Sequence, residues 1–142
     1  MEIMGIIQMC MVKASLMQNV DVSAINAIVS LESNYKVKAV SKTKDYGLMQ
    51  LHKKKIFDPC KNIEIGTSIL KECRDKLSGK FLDFSWVVCY NRGLQGAKKL
   101  GKQGVKSNTY YHTFKRHYKR LNTLEMLLGV TLHKQIRIPL KG

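Results

Sequence analysis

The chain is short of chain breakers and of acid. Only two of its 142 residues are proline, Pro59 and Pro139, and nothing resembles an interdomain linker or an internal repeat, which points to one domain over residues 1–142. Asp and Glu number 10 against 25 Lys and Arg, a formal charge of +15. No apolar run is long enough to cross a membrane. The marks of a secretory signal are missing too: Glu2 stands where positive charge is expected, Gln8 and Lys13 interrupt the apolar run, and no small-residue cleavage site follows. His52, His112, His117 and His133 show no ligand spacing, and the spacing of Cys10, Cys60, Cys73 and Cys89 is not that of a metal site. No metal and no cofactor is expected.

What the chain does have is apolar residue at helical period. At 44% hydrophobic it can bury a core without metals or staples. The periodicity predicts a mainly α fold with little or no β-structure, with helices over Ile3–Gln18, Val22–Ser33, Asn62–Leu77, Phe84–Asn91 and Ser107–Leu128. Asp58 or Asn62 and Ser107 are the expected N-caps, and Gly79 and Gly129 the expected stops. Residues 93–106 read as a Gly- and Lys-rich loop around a short helix at Ala97–Leu100, and residues 131–142 as a C-terminal arm.

Charge is unevenly spread. Residues 1–35 hold one basic and three acidic side chains, whereas residues 84–142 hold twelve basic and one acidic. Such a field gathers the protein on an anionic polymer or surface in a salt-dependent way. The best case for nucleic acid is the segment with Tyr110, Tyr111, Lys115, Arg116, His117, Lys119 and Arg120. At helical spacing, however, Tyr111, Phe114, Tyr118 and Leu121 make one apolar stripe, so a core-facing helix with a solvated basic face is expected and no specific nucleic-acid partner. The Lys53-Lys54-Lys55 run reads as solvated.

Glu32 is the residue that carries chemistry. Ile25, Ile28, Val29 and Glu32 follow the i, i+3, i+4, i+7 pattern, which puts the carboxyl on the core-facing side of its helix. A carboxyl placed there is desolvated and holds its proton to higher pH, as a general acid must. Downstream, in order, stand Glu32-Ser33-Asn34-Tyr35, Ala39-Val40-Ser41, Gly47-Leu48-Met49-Gln50 and Tyr90-Asn91-Arg92-Gly93.

That ordered set resembles the catalytic domain of soluble lytic transglycosylases and goose-type lysozymes, over roughly Val20 to Tyr118. The resemblance implies an all-helical, lysozyme-like domain with a groove for a peptidoglycan strand, cleaved at the β-1,4 bond between N-acetylmuramic acid and N-acetylglucosamine. It implies Glu32 as acid and base, with Ser41, Met49, Gln50, Tyr90 and Asn91 on the substrate. Within that set Met49 would pack an apolar sugar face, the Tyr90 hydroxyl would orient Glu32, and Asn91 would bind the acetamido region. The chain departs from the family in having only Leu51 to Phe57 between Gln50 and Asp58, which reduces one wall of the groove. Cys89 also stands where alanine is usual.

Asp45 is open to two readings. The run Asp45-Tyr46-Gly47-Leu48-Met49-Gln50 also resembles animal-type lysozymes, where the Asp before Tyr-Gly is a second catalytic carboxylate. The same residue is also a natural turn former beside Gly47. The leading reading is a lytic transglycosylase, which needs Glu32 alone and leaves 1,6-anhydromuramic ends. The alternatives are a hydrolytic muramidase using Glu32 and Asp45, and a basic wall- or nucleic-acid-binding module without turnover. A monomer is expected, made in a host cytoplasm and released or delivered to the wall as a bacteriophage lysis or virion protein would be. Four cysteines allow two disulfides in three connectivities. Synthesis in a reducing cytosol favours free buried thiols.

Overall fold

The computed structural model describes residues 2–77 and 84–127, with side chains through Leu121. Five helices dominate: α1 (Ile3–Gln18), α2 (Val22–Ser33), α3 (Pro59–Leu77), α4 (Trp86–Lys106) and α5 (Thr109–Leu127). Between α2 and α3 lies a small antiparallel hairpin, β1 (Asp45–Tyr46) and β2 (Leu51–His52), with Asp45 opposite His52 and Tyr46 opposite Leu51. The fold is the mainly α, lysozyme-like arrangement that the sequence predicts. The expected stops at Gly79 and Gly129 and the arm at 131–142 lie outside the described residues.

The helix ends have local causes. α1 closes at Asn19 and α2 at Asn34, both in the left-handed conformation that Asn tolerates better than most side chains. Asp21 opens α2 by accepting the Ser23 N–H at 2.9 Å. Asp58 does the same for α3 through the Lys61 N–H at 2.9 Å, so α3 begins with Pro59 in its first turn, ahead of Asn62. At α5 the capping side chain is Asn108, which accepts from Tyr111 N at 2.9 Å, in place of the expected Ser107.

The largest difference from expectation is in α4. Instead of a loop after Asn91, helical backbone resumes after each of two breaks, at Gly93 (φ 81°, ψ 165°) and Gly101 (φ 63°, ψ −177°). Ala97 and Val105 are buried, so the resumed turns are held by packing. The glycines redirect the axis without ending the stack.

α1 packs on α3, α3 on α4, and α2 on α5. Ile25, Ile28 and Val29 are fully buried, as are Leu48, Met49, Ile63, Leu70 and Phe114. Tyr111 and Phe114 face inward while Lys115, Arg116, Lys119 and Arg120 are exposed, which is the core stripe with a solvated basic face. α5 is pinned across α2 by the Tyr118 hydroxyl donating to Asp21 Oδ2 (2.6 Å) and by a Ser30 Oγ to His117 Nδ1 hydrogen bond (2.9 Å).

The expectation of free thiols is overturned. Cys10 is bonded to Cys60 and Cys73 to Cys89, and no cysteine is free. The cause is the packing order: α1 against α3 and α3 against α4 bring the Cα pairs to 4.8 and 5.7 Å, within bridging reach. On a chain-entropy account these loops of 50 and 16 residues stabilise the fold by about 4 and about 3 kcal/mol.

Candidate active site

Glu32 sits in the last turn of α2, on the continuation of the buried Ile25, Ile28, Val29 stripe. It opens into a cleft of about 590 Å³ lined by Glu32, Thr43, Asp45, Gln50, Leu51, His52, Ile69, Tyr90, Asn91, Arg92 and Gly93. α2 supplies Glu32, the hairpin one wall and α4 another. Between Gln50 and Asp58 the chain consists of β2 and an open loop without a helix.

Burial pushes the Glu32 carboxyl up to about 7 from an ordinary 4.5; the Tyr110 hydrogen bond opposes the shift and the Asp45 charge adds to it. The negative end of the α2 dipole acts in the same upward direction. Tyr110, in the first turn of α5, donates its hydroxyl to Glu32 Oε2 at 2.7 Å. That tether fixes one carboxyl oxygen and leaves Oε1 to carry the proton. The Tyr110 hydroxyl is itself driven well above its ordinary range by burial and by the neighbouring Glu32 charge, so it stays a donor.

Asp45 lines the same cleft in a different state. Its Oδ2 accepts from Ser41 Oγ (2.6 Å) and Thr43 Oγ1 (2.5 Å), its Oδ1 pairs with His52 Nδ1 (2.9 Å), and its N–H donates to Ser41 Oγ (2.9 Å). Burial alone would raise its carboxyl. The hydrogen bonds from Ser41, Thr43 and His52, with the His52 charge, outweigh burial and hold it below its ordinary value. One cleft therefore contains a carboxyl that keeps its proton and a carboxyl that gives it up.

The Gly47–Gln50 turn is held by a residue that the sequence suggests only as a helix cap. Asn62, fully buried on α3, accepts from Met49 N (2.8 Å) and donates to the carbonyls of Tyr46 (2.9 Å) and Ile56 (2.8 Å). Gly47 is required beneath it: its φ is 77°, and a Cβ there would lie 2.2 Å from Asn62 Nδ2. Gln50 Nε2 donates to the carbonyls of Gly47 (2.9 Å) and Ala39 (3.2 Å), which leaves its amide oxygen for a ligand in the cleft.

Five of the residues expected at the site line the cleft: Glu32, Asp45, Gln50, Tyr90 and Asn91. Met49 does not reach it. Its side chain is fully buried against Gly66, where a Cβ would meet the sulfur at 2.5 Å, so it packs the core and not a sugar. Ser41 stands behind Asp45, with its hydroxyl engaged there. Tyr90 lines the cleft, but its hydroxyl donates to the Met49 carbonyl and bonds the turn instead of Glu32. The tyrosine on the Glu32 carboxyl is Tyr110, which the sequence places at the start of the late helix but not at the site. Among the described residues no group of His, Cys, Asp or Glu is placed to hold a metal ion.

A model of the transglycosylase SLT domain family matches residues 9–113. No curated protein and no solved structure gives a significant match.

Proposed function

The chain belongs to the transglycosylase SLT family, a family of peptidoglycan-cleaving lytic transglycosylases, and on that premise we propose that Glu32 is the one acid and base of a lytic transglycosylase. The substrate is the β-1,4 bond between N-acetylmuramic acid and N-acetylglucosamine. Glu32, protonated up to about pH 7, gives its proton to the glycosidic oxygen as the C1–O bond breaks. Positive charge then develops at the muramic C1, where the substrate's own N-acetyl oxygen supports it. Glu32, now a carboxylate, takes the proton of the C6 hydroxyl as that oxygen bonds to C1. The products are a free N-acetylglucosamine 4-hydroxyl and a 1,6-anhydromuramic end, and no water is consumed.

The observation that carries this reading is the contrast between the two cleft carboxyls. Asp45 is saturated by Ser41, Thr43 and His52, which makes it a poor nucleophile and a good fixed charge. Gln50 and Asn91 would hold the acetamido groups. The hydrolytic alternative, with Asp45 as partner to Glu32, has in its favour that Asp45 lines the same cleft and acts on Glu32. The basic faces of α4 and α5 hold the monomer on anionic wall or outer-membrane polymers. Two disulfides suit work outside a reducing cytosol, after release or delivery of a bacteriophage product.

The test is mass spectrometry of soluble products from purified peptidoglycan, with wild type and Glu32→Gln side by side. Anhydromuramic ends that vanish in the variant support the proposal. Hydrated reducing ends would replace it with the muramidase reading, and products undiminished in the variant would remove Glu32 from the reaction.

A further inference from the structure

Arg92 is the one Lys or Arg among the described residues lining the cleft. It occupies the last turn of the first segment of α4, before the break at Gly93. Its base is backed by Gly96, where a Cβ would lie only 2.9 Å from the Arg92 Cβ, so the missing side chain at 96 is what lets Arg92 sit there. Both acids in the cleft are already served. Glu32 is held by Tyr110, and Asp45 by Ser41, Thr43 and His52. Arg92 is not among the groups that shift either carboxyl. Among the described residues it has no hydrogen bond or ion pair. Among the described residues, no protein anion matches this planar cation of the cleft.

The glycan backbone of peptidoglycan is built of neutral N-acetylated sugars. Its anionic groups are the carboxylates of the stem peptide carried on the muramic lactyl group. A guanidinium pairs with a carboxylate through two parallel hydrogen bonds, a geometry that an ammonium cannot reproduce. We propose that Arg92 is a specificity-determining residue that pairs with a free carboxylate of the stem peptide, so that this chain selects glycan strands by the state of their stems. This rests on the reading of the cleft as a peptidoglycan site. It adds a second criterion to that reading, because the sugars alone would not distinguish a strand with free stem carboxylates from one with amidated stems.

The experiment measures binding in a Glu32→Gln background, so that the strand is not consumed. Three soluble probes are titrated: strands with free-carboxylate stems, strands with amidated stems, and N-acetylglucosamine oligomers, which have no lactyl group and so no carboxylate. The expected result is about tenfold tighter binding of the first probe than of the other two. Adding Arg92→Ala should erase that preference and bring the free-carboxylate probe down to the affinity of the amidated one, while Arg92→Lys restores part of it. Equal weakening on all three probes would overturn the proposal by making Arg92 a glycan or structural contact. A preference that survives in Arg92→Ala would overturn it by making Arg92 a solvated surface charge. Both of those outcomes leave the cleft as a glycan site, whereas no binding of any probe overturns the proposal together with the reading beneath it.

Discussion

The two carboxyls of the cleft stand in regions built by different rules. Glu32 rests on long-range packing: it lies at the end of an apolar helix face and meets Tyr110 from 78 residues away. Asp45 rests on local polar chemistry, since Ser41, Thr43 and His52 all lie within seven residues of it. Packing supplies few charge-stabilising groups and raises a carboxyl, while a turn supplies many and lowers one. The acid and the anion differ by neighbourhood and not by residue type.

The sharpest way to break this contrast is Glu32→Gln. We expect a fall of at least about a thousandfold in the rate of strand cleavage with the fold intact, read by product release. The same variant tests the burial argument by stability. The folded value of Glu32 lies above its unfolded one, so the stability it offers is whole below about pH 4.5 and lost as pH rises through about 7. Glu32→Gln should therefore resist denaturant better than wild type at pH 8, by up to about 3 kcal/mol, and show no such gain at pH 4.

Asn62→Ala attacks the polar region alone. It strands Met49 N and the Tyr46 and Ile56 carbonyls, and at about 1–3 kcal/mol for each unpaired group a loss of roughly 3 kcal/mol or more is expected. Denaturant melting reads that loss. Glu32 should still titrate near 7 by NMR, and a fall to the ordinary range would mean that the two regions are not separable.

Asp45→Asn is the next smaller effect. It removes a charge that raises Glu32, so the alkaline limb of the pH–rate profile should move to lower pH, with cleavage reduced by about tenfold or less. A loss as large as that of Glu32→Gln would place Asp45 in the reaction itself. Tyr110→Phe is the mildest. The bond it removes lowers Glu32, so the alkaline limb should move to higher pH with only a few-fold change in rate. An unmoved limb would detach Tyr110 from the acid.

The two regions were unequally legible in the sequence. α1 and α2 carry the bounds that periodicity predicts, because Asn19, Asp21 and Asn34 are local signals. Glu32 was visible for the same reason, as a polar interruption of an apolar stripe. The continuation of α4 was not, since Gly93 and Gly101 read as loop residues and only the burial of Ala97 and Val105 shows the helix resuming. Tyr110 escaped because Tyr111, Phe114 and Tyr118 define the inward stripe of α5 and Tyr110 lies to one side of it. Its contact depends on how α5 crosses α2, which no local pattern encodes. Met49 looked like a ligand residue until Gly66, a position that appears unremarkable in sequence, gave it a hole to fill. The cysteines could be counted but not paired, because pairing follows from which helices touch.

Both disulfides end on α3, and the later of their four cysteines is Cys89. The whole of α5 comes after it, outside the covalent loops, and its described side chains are held by packing and a few hydrogen bonds. α2 lies inside the loop closed by Cys10 and Cys60. If heat or a protease detaches α5 first, water reaches Glu32, its carboxyl relaxes toward 4.5, and the proton that its proposed role needs near neutral pH is gone while the stapled remainder still stands. The last helix acts as a fuse: the enzyme falls silent before it falls apart.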